Sequence, residues 1–251
     1  MLGAIRTALP NENLFYVADS GFAPYGDRPG PFIQQRAEGI TEFFAGLGAK
    51  AIVVACNTAT AVAIHALRSR FTFPIIAIEP AVKPAAAMTR SGVIGILATS
   101  QTLASERLSR LVETHGKNVE VLLQPCPGLV EQVEKGDLDG SETQALVARY
   151  VRPLIEQRAD TLVLGCTHYP FLSSAIQSAA GPGVTLVDPA VAVARELERR
   201  LKLGELLSQQ SSPGDERFWT SGVPDKVQAI VGQLWPGKVE VGRLPSSPSA
   251  D

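Results

Sequence analysis

A chain of 251 residues with 45% hydrophobic content is long enough to bury a core without covalent staples, as one large α/β domain or two small ones. Its 23 Lys and Arg against 25 Asp and Glu leave a formal charge of −2, and no basic run interleaved with aromatics tracks a phosphate backbone, which argues against nucleic acid as a partner. The three cysteines, Cys56, Cys126 and Cys166, are too widely spaced for a CxxC metal site and odd in number for a disulfide framework. Neither a signal-peptide pattern in MLGAIRTALP nor an apolar stretch of membrane-spanning length is present, so the expectation is a soluble cytoplasmic protein with no metal and no membrane contact.

In chain order, LGAIRTAL reads as the latter part of a helix with no strand before it. Short β-branched runs then alternate with helix-period segments: NLFYVAD, PFIQQRAEGITEFFAGLG, AKAIVVAC, the stretch Thr58–Arg70, and FPIIAIE. A second cycle follows: strand GVIGILAT, helix QTLASERLSRLVETHG, strand NVEVLLQP, a helix from Ser141 to Gln157, and strands DTLVLGC and GVTLVD. This is the rhythm of parallel sheets built from βαβ units. The two cycles also match in residues, AKAIVVACNTATAVAIHAL and PIIAIEPAVKPA against ADTLVLGCTHYPFLSSAIQ and GVTLVDPAVAVA. The expected fold is therefore α/β, with two pseudo-symmetric three-layer domains of mainly parallel sheets and an active site in the cleft between them. Glu79-Pro80 and Asp188-Pro189 end the two copies, which places a discontinuous first domain at 1–80 plus 190–251 and a second at 81–189. Beyond Leu203, RFWTSG and KVEVGRL read as strands around the helix DKVQAIVGQLW, and the tail PSSPSAD as disordered.

In parallel sheets ligands bind beyond the carboxyl ends of the strands, where helix N-termini point free N–H groups. Cys56 and Cys166 both fall there. Asn57 and Thr58 can cap or open the helix after Cys56, and Thr167 and His168 precede Pro170, a suitable first helical residue. A helix N-terminus or a nearby cation lowers a thiol pKa from about 8.5, which makes a usable base. A single cysteine at a strand end is more often a small buried hydrophobe, but two at equivalent positions of a repeat shift that balance. Cys126 has no counterpart in the repeat and reads as structural, while Glu134, on the helix that follows it, reads first as a solvated helix acid. The loop ADSGFAPYGDRP is rich in turn formers, yet its place at a strand's carboxyl end gives Asp19, Ser20, Tyr25 and Gly26 access to a ligand. His65 and His115 lie on helices as surface or packing residues, and Lys83 faces solvent. GVIGILATS contains no GxGxxG, and nothing matches a phosphate-binding loop.

The pairing of VVACNTATA with LGCTHYPFL, together with YVADSGFAPYGDRP, CPGLVEQVEKG and FWTSG, closely resembles the cofactor-independent glutamate racemases of the aspartate/glutamate racemase superfamily. The resemblance implies interconversion of L- and D-glutamate, without a cofactor, for peptidoglycan synthesis. It makes Cys56 and Cys166 the acid and base, Cys56 serving the D-isomer and Cys166 the L-isomer. It carries over Tyr25, Gly26, Asn57, Thr58, Thr99, Thr167 and His168 as substrate contacts, and Asp19, Glu134 and His168 as groups that tune the cysteines. The GCTH form favours glutamate over aspartate, whose racemases commonly carry Glu after the Thr of this loop. Members normally begin with a strand and an Asp-Ser-Gly-x-Gly-Gly loop, which are missing here. Two alternatives stay open beside the main reading: an aspartate racemase-like enzyme, and a truncated homologue that binds glutamate without turnover. The expected partner is the small-molecule substrate, and self-association as a homodimer is left open.

Overall fold

The computed structural model describes residues 1–245, so the tail predicted to be disordered lies, from Ser246 onward, outside the described residues. In chain order the elements are α1 (Leu2–Ala8), β1 (Leu14–Ala18), α2 (Gly30–Gly46), β2 (Ile52–Val54), α3 (Asn57–Arg70), β3 (Ile75–Ala77) and α4 (Val82–Met88). There follow β4 (Val93–Ala98), α5 (Ser100–Leu103), α6 (Glu106–His115), β5 (Glu120–Pro125), α7 (Leu129–Glu134), α8 (Ser141–Glu156) and β6 (Thr161–Leu164). The last elements are α9 (Ser173–Ala180), β7 (Thr185–Val187), α10 (Ala190–Leu203), β8 (Glu216–Thr220), α11 (Pro224–Leu234) and β9 (Val241–Arg243). Strands alternating with helices are the expected α/β pattern, and all six strand pairings are parallel.

The chain divides into two compact units, one of Met1–Ala55, Val62–Ala77 and the residues from Ala190 on, the other of Cys56–Ala61 and Ile78–Pro189. Cys56 and the first residues of α3, up to Ala61, therefore belong to the second unit, whereas the division drawn from the sequence left them in the first.

The second unit is one continuous sheet in the order β5-β4-β6-β7. All six residues of β4 are buried, as are all four of β6, because each strand has neighbours on both edges and helices on both faces. The period-2 alternation of a strand divides their side chains: Leu97, Leu162 and Leu164 pack with α7, α8 and α9, and Ile94, Ile96 and Val163 with α4 and α6. The helix predicted across QTLASERLSRLVETHG is broken. Ser105 caps α6, its Oγ accepting from the Leu108 N–H at 3.3 Å, so α5 ends one turn earlier.

In the first unit the strands form two separate sheets, β1-β8-β9 and β2-β3. Through the repeat, β2 and β3 correspond to β6 and β7. Among the described residues no strand takes the place that β4 holds in the second unit. The consequence shows in burial: only Leu14 of β1 and Ile52 of β2 are fully buried. Smaller cores serve this unit, and two of them lie among the described residues. Ile52, Ala63, Ile64, Leu67 and Ile75 form one, and Phe218, Val227, Val239 and Val241 the other. Among the described residues no helix is long and apolar enough to cross a membrane.

Candidate functional site

Cys56 stands immediately before α3, where a capping residue would sit, and its sulfur accepts from the Ala59 N–H at 3.4 Å. Burial pushes the thiol up to about 11, against the opposing pull of N–H groups of the turn and the Thr58 hydroxyl, with the charge of nearby Cys166 adding to the rise. At neutral pH this sulfur holds its proton. Asn57, only 4% exposed, has neither its Oδ1 nor its Nδ2 hydrogen-bonded. Leaving such a group unpaired costs about 1–3 kcal/mol, so an amide open on both its donor and its acceptor side fits a ligand that supplies both.

Thr58 points away from the solvent into a cluster of three hydroxyls. Its Oγ1 lies 2.9 Å from Thr99 Oγ1 and 3.2 Å from Thr102 Oγ1, and Thr99 donates to Thr102 at 3.0 Å. Thr99 is also the N-cap of α5, its oxygen accepting from the Thr102 N–H at 3.3 Å. The end of β4 is thereby joined to the turn that carries Cys56.

Cys166 follows β6 and is 8% exposed. Gly165 before it lets the chain run against β4: its N–H donates to the Leu97 carbonyl at 2.8 Å, and a Cβ at this position would meet the same oxygen at 2.8 Å. Pro170 does not open an α-helix here as predicted. It lies in a 3-10 turn, Tyr169–Leu172, with α9 behind it. What Cys166 has instead is a histidine. His168 Nδ1 is 3.8 Å from the sulfur and His168 Nε2 is 2.8 Å from Glu134 Oε1 on α7. Burial disfavours the charged ring, but the bonds to Cys166 and Glu134 outweigh it and raise the His168 pKa to about 10. At neutral pH His168 is an imidazolium, both of its N–H groups donating. Thr167 is half-buried between the two.

Cys126 is buried, its Sγ donating to the Gln124 carbonyl at 3.3 Å, and burial drives its thiol strongly upward. Tyr169 Oη donates to the Cys126 carbonyl at 3.3 Å, so this residue packs behind Cys166.

In the first unit the Asp19–Asp27 loop is organised around a carboxylate. Arg36 on α2 grips Asp19 with two bonds, Nη2 to Oδ1 at 2.6 Å and Nε to Oδ2 at 3.0 Å, and Tyr25 donates its hydroxyl to Oδ2. Burial works against the charge, but Arg36, Tyr25 and Ser221 hold the Asp19 pKa below its usual value. The guanidinium also stacks 4.2 Å from the Phe22 ring centroid. Gly26 lies in the 3-10 turn Tyr25–Asp27, and Ser20 is half-buried at the start of the loop.

Of the residues singled out from the sequence, Cys56, Asn57, Thr58, Thr99, Cys166, Thr167, His168 and Glu134 all belong to the second unit, while Asp19, Tyr25 and Gly26 form a bonded loop in the first. Sequence reasoning missed Thr102 and Arg36. TSQT carries a weak signal for Thr102, a Thr three residues after a capping Thr, whereas nothing local to α2 marks Arg36. Among the described residues no group of three His, Cys, Asp or Glu is placed to hold a metal ion.

The profile of the Asp/Glu/Hydantoin racemase family matches residues 4–197. The glutamate racemase of Methylococcus capsulatus is 51% identical over 246 residues, which cover 98% of this chain and 91% of that protein. A glutamate racemase isoform of Bacillus anthracis superposes with a TM-score of 0.88 at 31% identity, covering 97% of this chain and 92% of that one. The Escherichia coli glutamate racemase, solved with L-glutamate and the activator UDP-MurNAc-Ala, gives a TM-score of 0.84 at 28% identity over 97% of this chain and 92% of its own. A profile spanning more than half of the chain, and relatives matched over nearly their whole length, lead to one statement: this chain belongs to the Asp/Glu/Hydantoin racemase family.

Proposed function

We propose that the chain interconverts L- and D-glutamate with two sulfurs, those of Cys56 and Cys166, one removing the α-proton and the other delivering a proton to the opposite face, and so supplies D-glutamate for peptidoglycan in the cytoplasm. The observation that carries the reading is the pair of cysteine turns, one with a buried and unsatisfied Asn57 amide beside its sulfur and the other with His168, held by Glu134, 3.8 Å from its sulfur. An amino acid offers what that amide lacks, a carboxylate to accept from Nδ2 and an ammonium to donate to Oδ1. The family membership and the glutamate racemases similar to this chain support the substrate.

Starting from L-glutamate, Cys166 acts as base: the α-C–H bond breaks, its electron pair stays on the substrate, and an S–H bond forms. Cys56 then gives its proton to the opposite face, and the new C–H bond has inverted configuration. Burial that keeps Cys56 protonated suits it to wait as the acid, and the His168 imidazolium beside Cys166 stabilises negative charge on that sulfur and can relay its proton. Glu134 fixes the ring. Starting from D-glutamate the roles exchange.

Charge that builds on the substrate between the two transfers needs preorganised donors. The Asn57 amide, the Thr58, Thr99 and Thr167 hydroxyls and the N–H groups opening α3 supply them in the second unit. These assignments predict that Cys56→Ser and Cys166→Ser each lower racemisation of glutamate by about a thousandfold or more, because a serine hydroxyl is a far weaker acid-base group than a thiol. Optical rotation and deuterium incorporation at Cα in heavy water measure it. Wild-type rates in both variants would sink the two-thiol scheme, faster turnover of aspartate would move the substrate, and glutamate binding without exchange would make the chain a binding protein.

A further inference from the structure

We propose that Tyr169 is a positioning residue for His168: its hydroxyl, bonded to the Cys126 carbonyl just before α7, fastens the turn of Cys166 to that helix at a second point and so keeps the His168 ring between Glu134 and the sulfur. This rests on the reading of His168 as the charged partner of Cys166 in the proposed function.

α7 has little of its own to hold Glu134 in place. It has six residues, no side chain caps its first turn, and the chain enters it through Gly128, whose φ of +87° suits a residue without a Cβ. Helices shorter than about 12 residues are marginal alone, so the place of α7 is set by its buried face, Leu129, Val130 and Val133, and by what grips the residues before it. The Cys126 N–H donates to the Ala98 carbonyl at the end of β4 at 3.1 Å, Tyr150 Oη on α8 to the Pro127 carbonyl at 2.8 Å, and Tyr169 Oη to the Cys126 carbonyl at 3.3 Å. Of these three bonds, the last comes from the turn that carries Cys166.

Tyr169 follows His168 directly, and the two side chains reach opposite ends of α7. His168 Nε2 meets Oε1 of Glu134, the last residue of the helix, at 2.8 Å, while Tyr169 meets the residue three before its first. The helix between them is about 9 Å long. One attachment would leave the turn free to pivot; two so far apart fix its angle as well as its position. Within the turn the Tyr169 N–H donates to the Cys166 carbonyl and the Phe171 N–H to the His168 carbonyl, both at 3.1 Å, so sulfur, ring and hydroxyl move as one piece. Packing alone does not account for the hydroxyl. Tyr169 is fully buried in one core with Leu129, Leu172 and Ile176, where a phenylalanine would fill the space without taking a polar group out of water.

The test uses the full chain with Tyr169→Phe, which keeps the ring, and with Tyr150→Phe, which removes the neighbouring bond without touching the turn of Cys166. Tyr169→Phe is also made in a His168→Gln background. The readouts are the rate of Cys166 alkylation by iodoacetamide at fixed pH without glutamate, located by peptide mass, and kcat/KM for L-glutamate. Alkylation consumes thiolate, which a displaced ring stabilises less well. Tyr169→Phe is therefore expected to slow alkylation about threefold and to lower kcat/KM about fivefold, with Tyr150→Phe within about twofold of wild type on both. Once His168 is glutamine, Tyr169→Phe should change the alkylation rate by less than about 1.5-fold, because no charged ring is left to position. Faster alkylation in Tyr169→Phe overturns the proposal, since loss of a hydroxyl that only held the core together would expose the sulfur. So does a wild-type rate, an equal slowing in Tyr150→Phe, or a slowing that persists in the His168→Gln background. The expected alkylation pattern in a chain that does not racemise glutamate would leave Tyr169 in place and remove the proposed function instead.

Discussion

The turns after β2 and β6 descend from one repeated pattern, yet they surround their cysteines with opposite means. After Cys56 the chain enters α3 at once, and the sulfur takes a neutral donor, the Ala59 N–H, while the Thr58 hydroxyl two residues on bonds to those of Thr99 and Thr102. After Cys166 a proline-containing 3-10 turn intervenes, α9 begins too late to lend its first N–H groups, and an ion pair does the work, His168 on Glu134. The lesson is that a near-symmetric reaction does not need symmetric electrostatics. Under the proposed scheme one turn offers a sulfur buried among neutral groups and the other a sulfur beside a group that can carry charge, and the duplicated fold allows each turn to be tuned separately.

The sharpest way to break that contrast is to remove the charged partner from one side only. His168→Ala is expected to lower kcat/KM for glutamate by about a hundred- to a thousandfold, the usual range for loss of a positioned acid-base group. Because the enantiomers have equal free energies, kcat/KM must fall equally in both directions in any variant, so the asymmetry has to be read elsewhere. With the α-position deuterated, the isotope effect should grow for L-glutamate, whose proton goes to Cys166, and shrink for D-glutamate. Equal isotope effects in both directions would mean that His168 serves both sulfurs or neither.

The two units contrast as well. β4 lies between β5 and β6 and is wholly buried, whereas β2 has one partner strand and one fully buried residue. Backbone amides open by local unfolding, and strands paired on both edges open only with the unit as a whole. Amides of Val93–Ala98 are therefore expected to exchange with deuterium about ten- to a hundredfold more slowly than those of Ile52–Val54. Equal protection would show that the first unit is as firmly closed as the second.

Much of this was legible before the structure. Short apolar runs and helix-period patterns located the strands and most helices because strands of a parallel sheet covered on both faces are apolar throughout, as in VIGILA of β4. The internal repeat paired Cys56 with Cys166, since a duplicated turn leaves the same residues at the same strand ends. The α5–α6 break was not legible, because Ser105 reads as an ordinary helix-surface residue until its oxygen is seen on the Leu108 N–H. Nor were Thr102 and Arg36. Each acts through a side chain far away in sequence, 44 residues for Thr102 to Thr58 and 17 for Arg36 to Asp19, and no local pattern records such a meeting.

Arg36 gives the smallest effect and a second view of the contrast, because its ion pair and that of His168 should fail at opposite ends of the pH scale. Asp19 has a lowered pKa in the fold, so its bond to Arg36 stabilises the protein above the unfolded value of about 3.9 and is lost as pH falls through the lower, folded one. His168 is the reverse. Its folded pKa is raised to about 10, so its contribution is complete below the unfolded value of about 6.5 and fades as pH rises toward 10. Arg36→Met should thus cost about 1 kcal/mol near pH 7, a typical worth for a partly buried pair, and the deficit should close on the acid side. For His168→Gln the deficit should close on the alkaline side. Urea denaturation of each variant beside wild type across pH tests both, and deficits that stay constant with pH would mean that packing, not charge, is what these two residues contribute.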